Sequence, residues 1–164
     1  MRRTAWLVTL MVAAAMVLVA AGPAVAQVTT PGPDFNNDGF GDLAVGVPGE
    51  DIGAVSDAGA VNVRYAPGFG QPFGLTLLTQ DRPETADRFG SSLADGFLAE
   101  FDGTVDLAIG APGETVGGAA GAGAVSVVRN DDTGFLATGS QLFYQGAGVP
   151  GTAETGDGFG AAFS

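Results

Sequence analysis

The chain has 164 residues, 18 acidic and 6 basic side chains, a formal net charge of −12, and neither cysteine nor histidine. Those absences exclude Cys/His zinc sites, Ser-His triads, cysteine nucleophiles and disulfides; every base is an arginine, so a P-loop lysine is missing too. Such acidity repels nucleic acid and anionic membrane surfaces and attracts cations.

The chain opens with Met1-Arg2-Arg3, a basic start, followed by an uncharged apolar run over residues 4–20. Gly22-Pro23 breaks the run, and Ala24-Val25-Ala26 has the small-x-small form of a signal-peptidase site. Residues 1–26 read as a signal peptide cleaved after Ala26; the rival reading is a membrane anchor, for which the run is slightly short. Residues 27–33 read as a linker, and no span is expected after cleavage.

A dense set of oxygen donors comes next. Asp34, Asn36 and Asp38 fall on alternate residues, Gly39 follows, and Asp42 closes the stretch. An apolar run without helical period then begins: Leu43-Ala44-Val45 reads as a short buried strand ended by Gly46-Val47-Pro48. Residues 60–65 alternate apolar and polar, as a strand does with one buried and one wet face. Residues 75–79 read as a further strand, and residues 89–97 as the opening strand of a second unit. In that unit Leu107-Ala108-Ile109 echoes Leu43-Ala44-Val45 at an offset of 64 residues, and residues 121–130 echo 57–66 at the same offset. Gly117-Gly118-Ala119-Ala120-Gly121-Ala122-Gly123 reads as a flexible hairpin loop, and residues 141–144 as the second unit's last strand. The stretch 154–163 echoes 85–93. The map is therefore 34–84 as repeat 1 without its first strand, 85–153 as repeat 2, and 154–164 as the start of a third. Turn residues are dense, with 28 Gly and 9 Pro, and no helix is expected after residue 26. The predicted class is all-β, built from short antiparallel strands in propeller blades.

The residues Phe89-Gly90 and Phe159-Gly160, with Gly110-Ala111-Pro112 and its variant Gly46-Val47-Pro48 between them, resemble the FG-GAP repeat of integrin α-subunit propellers and many secreted bacterial proteins. The resemblance implies four-stranded blades around an axis, and calcium in the loop joining a blade's first two strands. It also implies a protein that is adhesive or structural, or that serves as a module beside an enzyme. A complete ring needs several blades, because each buries its faces only against neighbours. This chain is expected to form an incomplete propeller. Either residues 159–164 fold back to complete the first blade, or the chain is a truncated piece whose open blade edges pair with other copies; the second reading is favoured.

Calcium takes six to eight oxygens. Asp34, Asn36 and Asp38 suit the first, third and fifth ligand places, the Phe40 carbonyl the seventh and Asp42 the ninth. Place twelve, acidic in an EF-hand, is Val45, and a strand follows instead of a helix. The plain alternative is a tight turn at Asn37-Asp38-Gly39. The second copy is degraded: Leu98 stands at the first place and Glu100 at the third, and only Asp102 and Asp106 keep their carboxylates. It is expected to bind weakly or not at all.

Other candidates are weaker. Residues 146–151 spell G-x-G-x-x-G without a following helix, against a dinucleotide site. Scattered carboxylates such as Glu50, Asp95 and Glu114 show no pairing for glycoside hydrolysis. The only tryptophan, Trp6, lies in the signal segment. No catalysis is expected, and an extracellular protein or polysaccharide is the expected ligand class. The alternative is an ancillary module of a secreted hydrolase.

Overall fold

The computed structural model describes residues 32–66, 74–98, 103–131, 134–135 and 140–163. The signal segment, Glu100 and Asp102 lie outside the described residues. Among the described residues ten strands run in chain order: β1 (Leu43–Val47), β2 (Ala60–Tyr65), β3 (Gly74–Leu78), β4 (Ser92–Gly96), β5 (Asp106–Ala111), β6 (Ala124–Val128), β7 (Asn130–Asp131), β8 (Gly134–Phe135), β9 (Gln141–Gln145) and β10 (Gly148–Val149). No helix occurs among the described residues, so the all-β class holds.

The first sheet has the order β1-β2-β3; the second has β10-β9-β6-β5-β4, and β7 and β8 make a small ribbon. Every pairing in the first sheet and from β4 to β9 is antiparallel; only β10 joins β9 in parallel. These are two meandering blades of a propeller. The repeat is visible in register: Val45 faces Asn62, which faces Leu77, just as Ile109 faces Ser126, which faces Leu142.

Strand alternation puts Val61 and Val63 of β2 on one face and Asn62 and Arg64 on the other. The core lies between the sheets. Val61, Val63, Leu78, Phe35 and Phe89 meet Leu107, Ile109, Ala111 and Val128 there. Each large aliphatic side chain so buried contributes about 1.5–3 kcal/mol.

The matching runs in β1 and β5 have different fates, which corrects the expectation that both are buried. All six residues of β5 are buried, whereas Leu43 is 57% and Val45 46% exposed. The cause is tertiary. The face of β5 carrying Leu107 and Ile109 lies against the first sheet, and among the described residues nothing lies against the corresponding face of β1.

The recurrent glycines explain how one unit locks onto the next. A Cβ on Gly46 would sit 2.0 Å from the carbonyl oxygen of Gly90, and one on Gly110 1.9 Å from that of Gly160. Backbone meets backbone at these points, and a methyl group has no room. Phe89 forms a parallel bridge with Gly59, and Phe159 forms the same bridge with Gly123. Residue 159 thus docks on the second sheet, not on the first, so residues 159–163 do not complete the first blade.

The glycine-rich stretch 117–123 is a defined double turn, which corrects the reading of a flexible link. Val116 and Ala119 exchange backbone hydrogen bonds at 2.9 and 3.2 Å, as Ile52 and Val55 do at 3.0 and 3.1 Å. Gly117, Gly118, Gly121 and Gly123 all have positive φ, so the glycines supply backbone shape and not slack.

A candidate metal loop and its buried anchors

The 34–42 loop leads into β1 and is folded by its own side chains. Asp34 accepts backbone N–H groups from Asp38 (3.1 Å) and Gly39 (2.8 Å). Asn36 Oδ1 accepts from the Asp38 amide at 3.2 Å, and Asp38 Oδ1 from the Phe40 amide at 2.9 Å. The Asn36 amide group donates to Asp38 Oδ2 at 3.1 Å. Asn37 and Gly39 adopt left-handed φ values of 53° and 86°, which Asn and Gly tolerate best. The loop therefore curls around the oxygens of Asp34, Asn36 and Asp38, while Phe35 is buried 1% exposed in the core beneath.

Asp42 is placed differently. It is buried, and its carboxylate accepts the Phe35 amide on Oδ2 (2.7 Å) and the Ala66 amide on Oδ1 (2.8 Å). Burial raises its pKa above the usual carboxylate value; those two amides oppose the rise, and the charges of Asp34 and Asp38 add to it. Asp42 thus feels the negative charge of both, which a cation would offset.

Asp106 has the same arrangement in the second unit. Its Oδ2 accepts the Leu98 amide and its Oδ1 the Asn130 amide, both at 3.0 Å. This aspartate is a staple in both blades, tying the entry loop to the chain just beyond the strand, β2 or β6, that pairs with the strand following the loop.

The donor chemistry fits a hard cation: carboxylate, amide and carbonyl oxygens within one tight turn. Asp34, Asp38 and Asp42 are not drawn into a group of three converging carboxylates, and no such group of acidic residues exists among the described residues. Asp34, Asn36 and Asp38 lie at the loop's outer turn and Asp42 at its buried base.

Sequence reasoning missed Asn130. It is 2% exposed, and its side-chain amide donates to the Phe35 carbonyl, joining the first unit's loop to the second sheet. It also donates to the Val105 carbonyl at 3.2 Å. Phe35 and Phe135 stack obliquely beside this link, 4.8 Å between ring centres. A lone Asn at the start of a two-residue strand carries no sequence signature of such a role.

A second polar site lies between the blades, a cleft of about 530 Å³ lined by Gln80, Arg82, Glu84, Glu114, Ser126 and Leu142. Gln80 Nε2 donates to Glu114 Oε2 at 2.6 Å. Burial raises the Glu114 pKa, the bond from Gln80 opposes this, and the neighbouring charges of Asp87 and Glu84 add to it. Asp87 is fully buried; its Oδ2 accepts the Glu84 amide at 2.5 Å, and desolvation raises its pKa.

Two antiparallel blades with an aspartate-anchored entry loop, each locked to the next Phe-Gly through bare glycine backbone, define a repeat protein of the β-propeller class. The family profile of the FG-GAP repeat matches residues 26–63 and 101–128, the two entry loops with the paired strands that follow them; the chain is an FG-GAP repeat protein. It is also 36% identical over 111 residues to the phosphatidylinositol-glycan-specific phospholipase D of Mus musculus. That similarity covers 64% of this chain and 13% of the relative, so the chain spans a small part of that protein's length. Among the described residues no helix is long and apolar enough to cross a membrane.

Proposed function

We propose that the chain is an exported, calcium-stabilised propeller module that serves in extracellular binding or structure and has no catalytic activity of its own. The observation that carries this reading is the 34–42 loop, where Asp34, Asn36 and Asp38 curl around a single turn whose base, Phe35 and Asp42, is fixed in the core. Asp34, Asn36, Asp38, the Phe40 carbonyl and Asp42 would hold the ion. Bound calcium would supply the positive charge that this acidic turn lacks and stiffen the entry to β1. The Phe35 carbonyl bond from Asn130 would pass that stiffening on to the second sheet.

Export is supported by the basic start, the apolar run and Ala24-Val25-Ala26, and by the extracellular setting common among FG-GAP repeat proteins. An extracellular protein or polysaccharide suits the exposed loops. The second site, Glu100, Asp102 and Asp106, would bind little, because the first ligand place is Leu98, which offers no side-chain oxygen.

The similarity to a phospholipase favours a second reading, in which the module accompanies a hydrolase whose reacting residues lie in another domain. Calorimetric titration of the purified chain with calcium tests the first reading: saturable binding lost in Asp38→Ala supports it, and no heat sinks it. Release of product from a phosphatidylinositol-glycan substrate by the purified chain alone would overturn the non-catalytic assignment.

A further inference from the structure

The contact between the two blades opens outward. Along Ile109, Ser126 and Leu142, which form one row across β5, β6 and β9, exposure rises from 0% to 8% to 46%. The blades therefore touch at β5 and part toward β9, and the cleft of about 530 Å³ fills the gap. A smaller hollow of about 200 Å³, reaching Thr76 and Phe135, shares Gln80 and Val128 with it. One wall is the stretch 79–84, which leaves β3 and leads to the second unit; the other carries Glu114, Ser126 and Leu142. Asp106 begins β5 and Glu114 follows the far end of that strand, so the cleft lies away from the Asp106 staple and the entry loops.

The polar groups here are short of donors. Gln80 spans the two walls by giving Nε2 to Glu114, and its own Oε1 is buried without a donor. Asp87 joins the walls a second time, its Oδ2 accepting the Glu84 amide and its carbonyl the Gly113 amide. It is fully buried, and its Oδ1 likewise has no donor. Asp81, Glu84 and Glu114 line the cleft against one base, the exposed Arg82. Buried acceptors without donors are costly, and so is a half-buried carboxylate among like charges. A ligand that brings both donors and positive charge relieves both costs.

Shape decides which cation fits. Among the described residues no three acidic side chains converge, so a bare metal ion finds no cage of carboxylates. The charges instead flank an apolar floor of Phe89, Val128 and Leu142. An elongated cation sets its donor-bearing head among the carboxylates and its methylene stem on that floor. We infer that the inter-blade cleft binds an organic cation, a guanidinium or primary ammonium on an alkyl stem, free or as an arginine or lysine side chain of a partner. This gives a ligand chemistry to the extracellular binding reading and rests on it, but not on calcium at the 34–42 loop.

The probes are butylguanidinium and butylammonium, with butanol as the neutral control, added to the isotope-labelled chain in chelator. Amide chemical shifts of Gln80, Ser126 and Leu142 should move saturably with both cations and not with butanol. Glu114→Gln, which keeps an acceptor for Gln80, should weaken butylguanidinium at least ~10-fold, because a neutral acceptor replaces a charged one. Arg82→Gln should tighten it about 2-fold by removing a like charge at the rim. Arg82 is exposed, so that variant reports even if the Glu114 variant misfolds. A peptide with one central arginine separates the sources. Tighter binding than butylguanidinium assigns a protein ligand, and equal or weaker binding a free amine. Butanol binding as well as the cations would make the cleft a plain apolar groove. Calcium moving the same three shifts in chelator-free buffer would make it a metal site. Either result overturns the inference, as does the absence of any shift; with calorimetric calcium binding intact, such a failure sinks this inference alone.

Discussion

Asn130 donates its side-chain amide to the carbonyl of Phe35, 95 residues earlier in the chain, and so ties the loop of the first blade to the second. Both residues are buried, and the same Asn130 gives its backbone amide to Asp106. Loop shape and blade packing are therefore one problem. Replacing Asn130 with Ala should leave the Phe35 and Val105 carbonyls unsatisfied. The expected loss is about 2–3 kcal/mol of unfolding free energy, read from denaturant melts. Calcium affinity of the 34–42 loop should fall in the same variant, because the Asn130 side chain holds the Phe35 carbonyl within that loop. An unchanged melt would show that the link carries no stability.

Buried Asp106 should separate from the exposed loop carboxylate Asp38 in function. Asp38→Ala removes an exposed loop acid, so it should abolish most calcium binding and barely move the melt in chelator. Asp106→Ala strips two buried amides of their acceptor and should cost about 2–4 kcal/mol with or without calcium. Titration calorimetry beside melts in chelator distinguishes them; equal effects from both variants would contradict the division of labour. Glu100→Ala should do little to either quantity.

Calcium itself should stabilise the fold by mass action, about 2.7 kcal/mol at a hundredfold excess over its dissociation constant. The check is a thermal melt in chelator and again in excess calcium. Coincident curves would argue against a structural ion.

A methyl group cannot enter the glycine contacts between units. Gly46→Ala or Gly110→Ala should destabilise by about 3 kcal/mol or more, because the obstructing atom is a backbone carbonyl and not a side chain that can turn away. Gly39→Ala makes a useful contrast: nothing lies within 4 Å of its added Cβ, and its cost is only that of a φ of 86°. A smaller loss in Gly110→Ala than in Gly39→Ala would refute the close-approach account.

The inter-blade acids set a pH dependence of known sign. Burial raises Glu114 above its ordinary 4.5 and Asp87 above its ordinary 3.8. The folded chain therefore holds these protons more tightly than the unfolded chain. Their contribution is present below the ordinary values and is lost as pH rises through the raised ones. Metal-free protein should thus lose stability as pH climbs from the ordinary carboxylate range toward neutral. Glu114→Gln, which keeps an acceptor for Gln80, should flatten that decline. Urea melts across the range measure it, and an unchanged slope in the variant would remove Glu114 as its cause.

Cleavage after Ala26 should give an exported chain beginning at Gln27. N-terminal sequencing decides it, and a start at Met1 in a membrane fraction would mean an anchor.

The sequence alone was enough for the blade class, the two-unit period and the positions of β1, β2, β5 and β6. Those follow from local pattern: alternation in 60–65, turn glycines, and an echo at 64 residues that survives because each blade must meet its neighbour in the same way. Burial was not legible. Leu43-Ala44-Val45 and Leu107-Ala108-Ile109 are nearly the same string, yet one is open and the other enclosed, because exposure depends on which sheet lies opposite. The double turn at 117–123 looked slack because composition reports backbone freedom and not the hydrogen bonds that use it. The roles of Asp42 and Asp106 were hidden for a related reason. An aspartate in an acidic loop reads as a ligand, and only the folded chain brings the amides of Phe35 and Ala66, or of Leu98 and Asn130, to its two oxygens. Local sequence encodes what each residue can do; the long-range packing of one blade on the next decides which of those capacities is used.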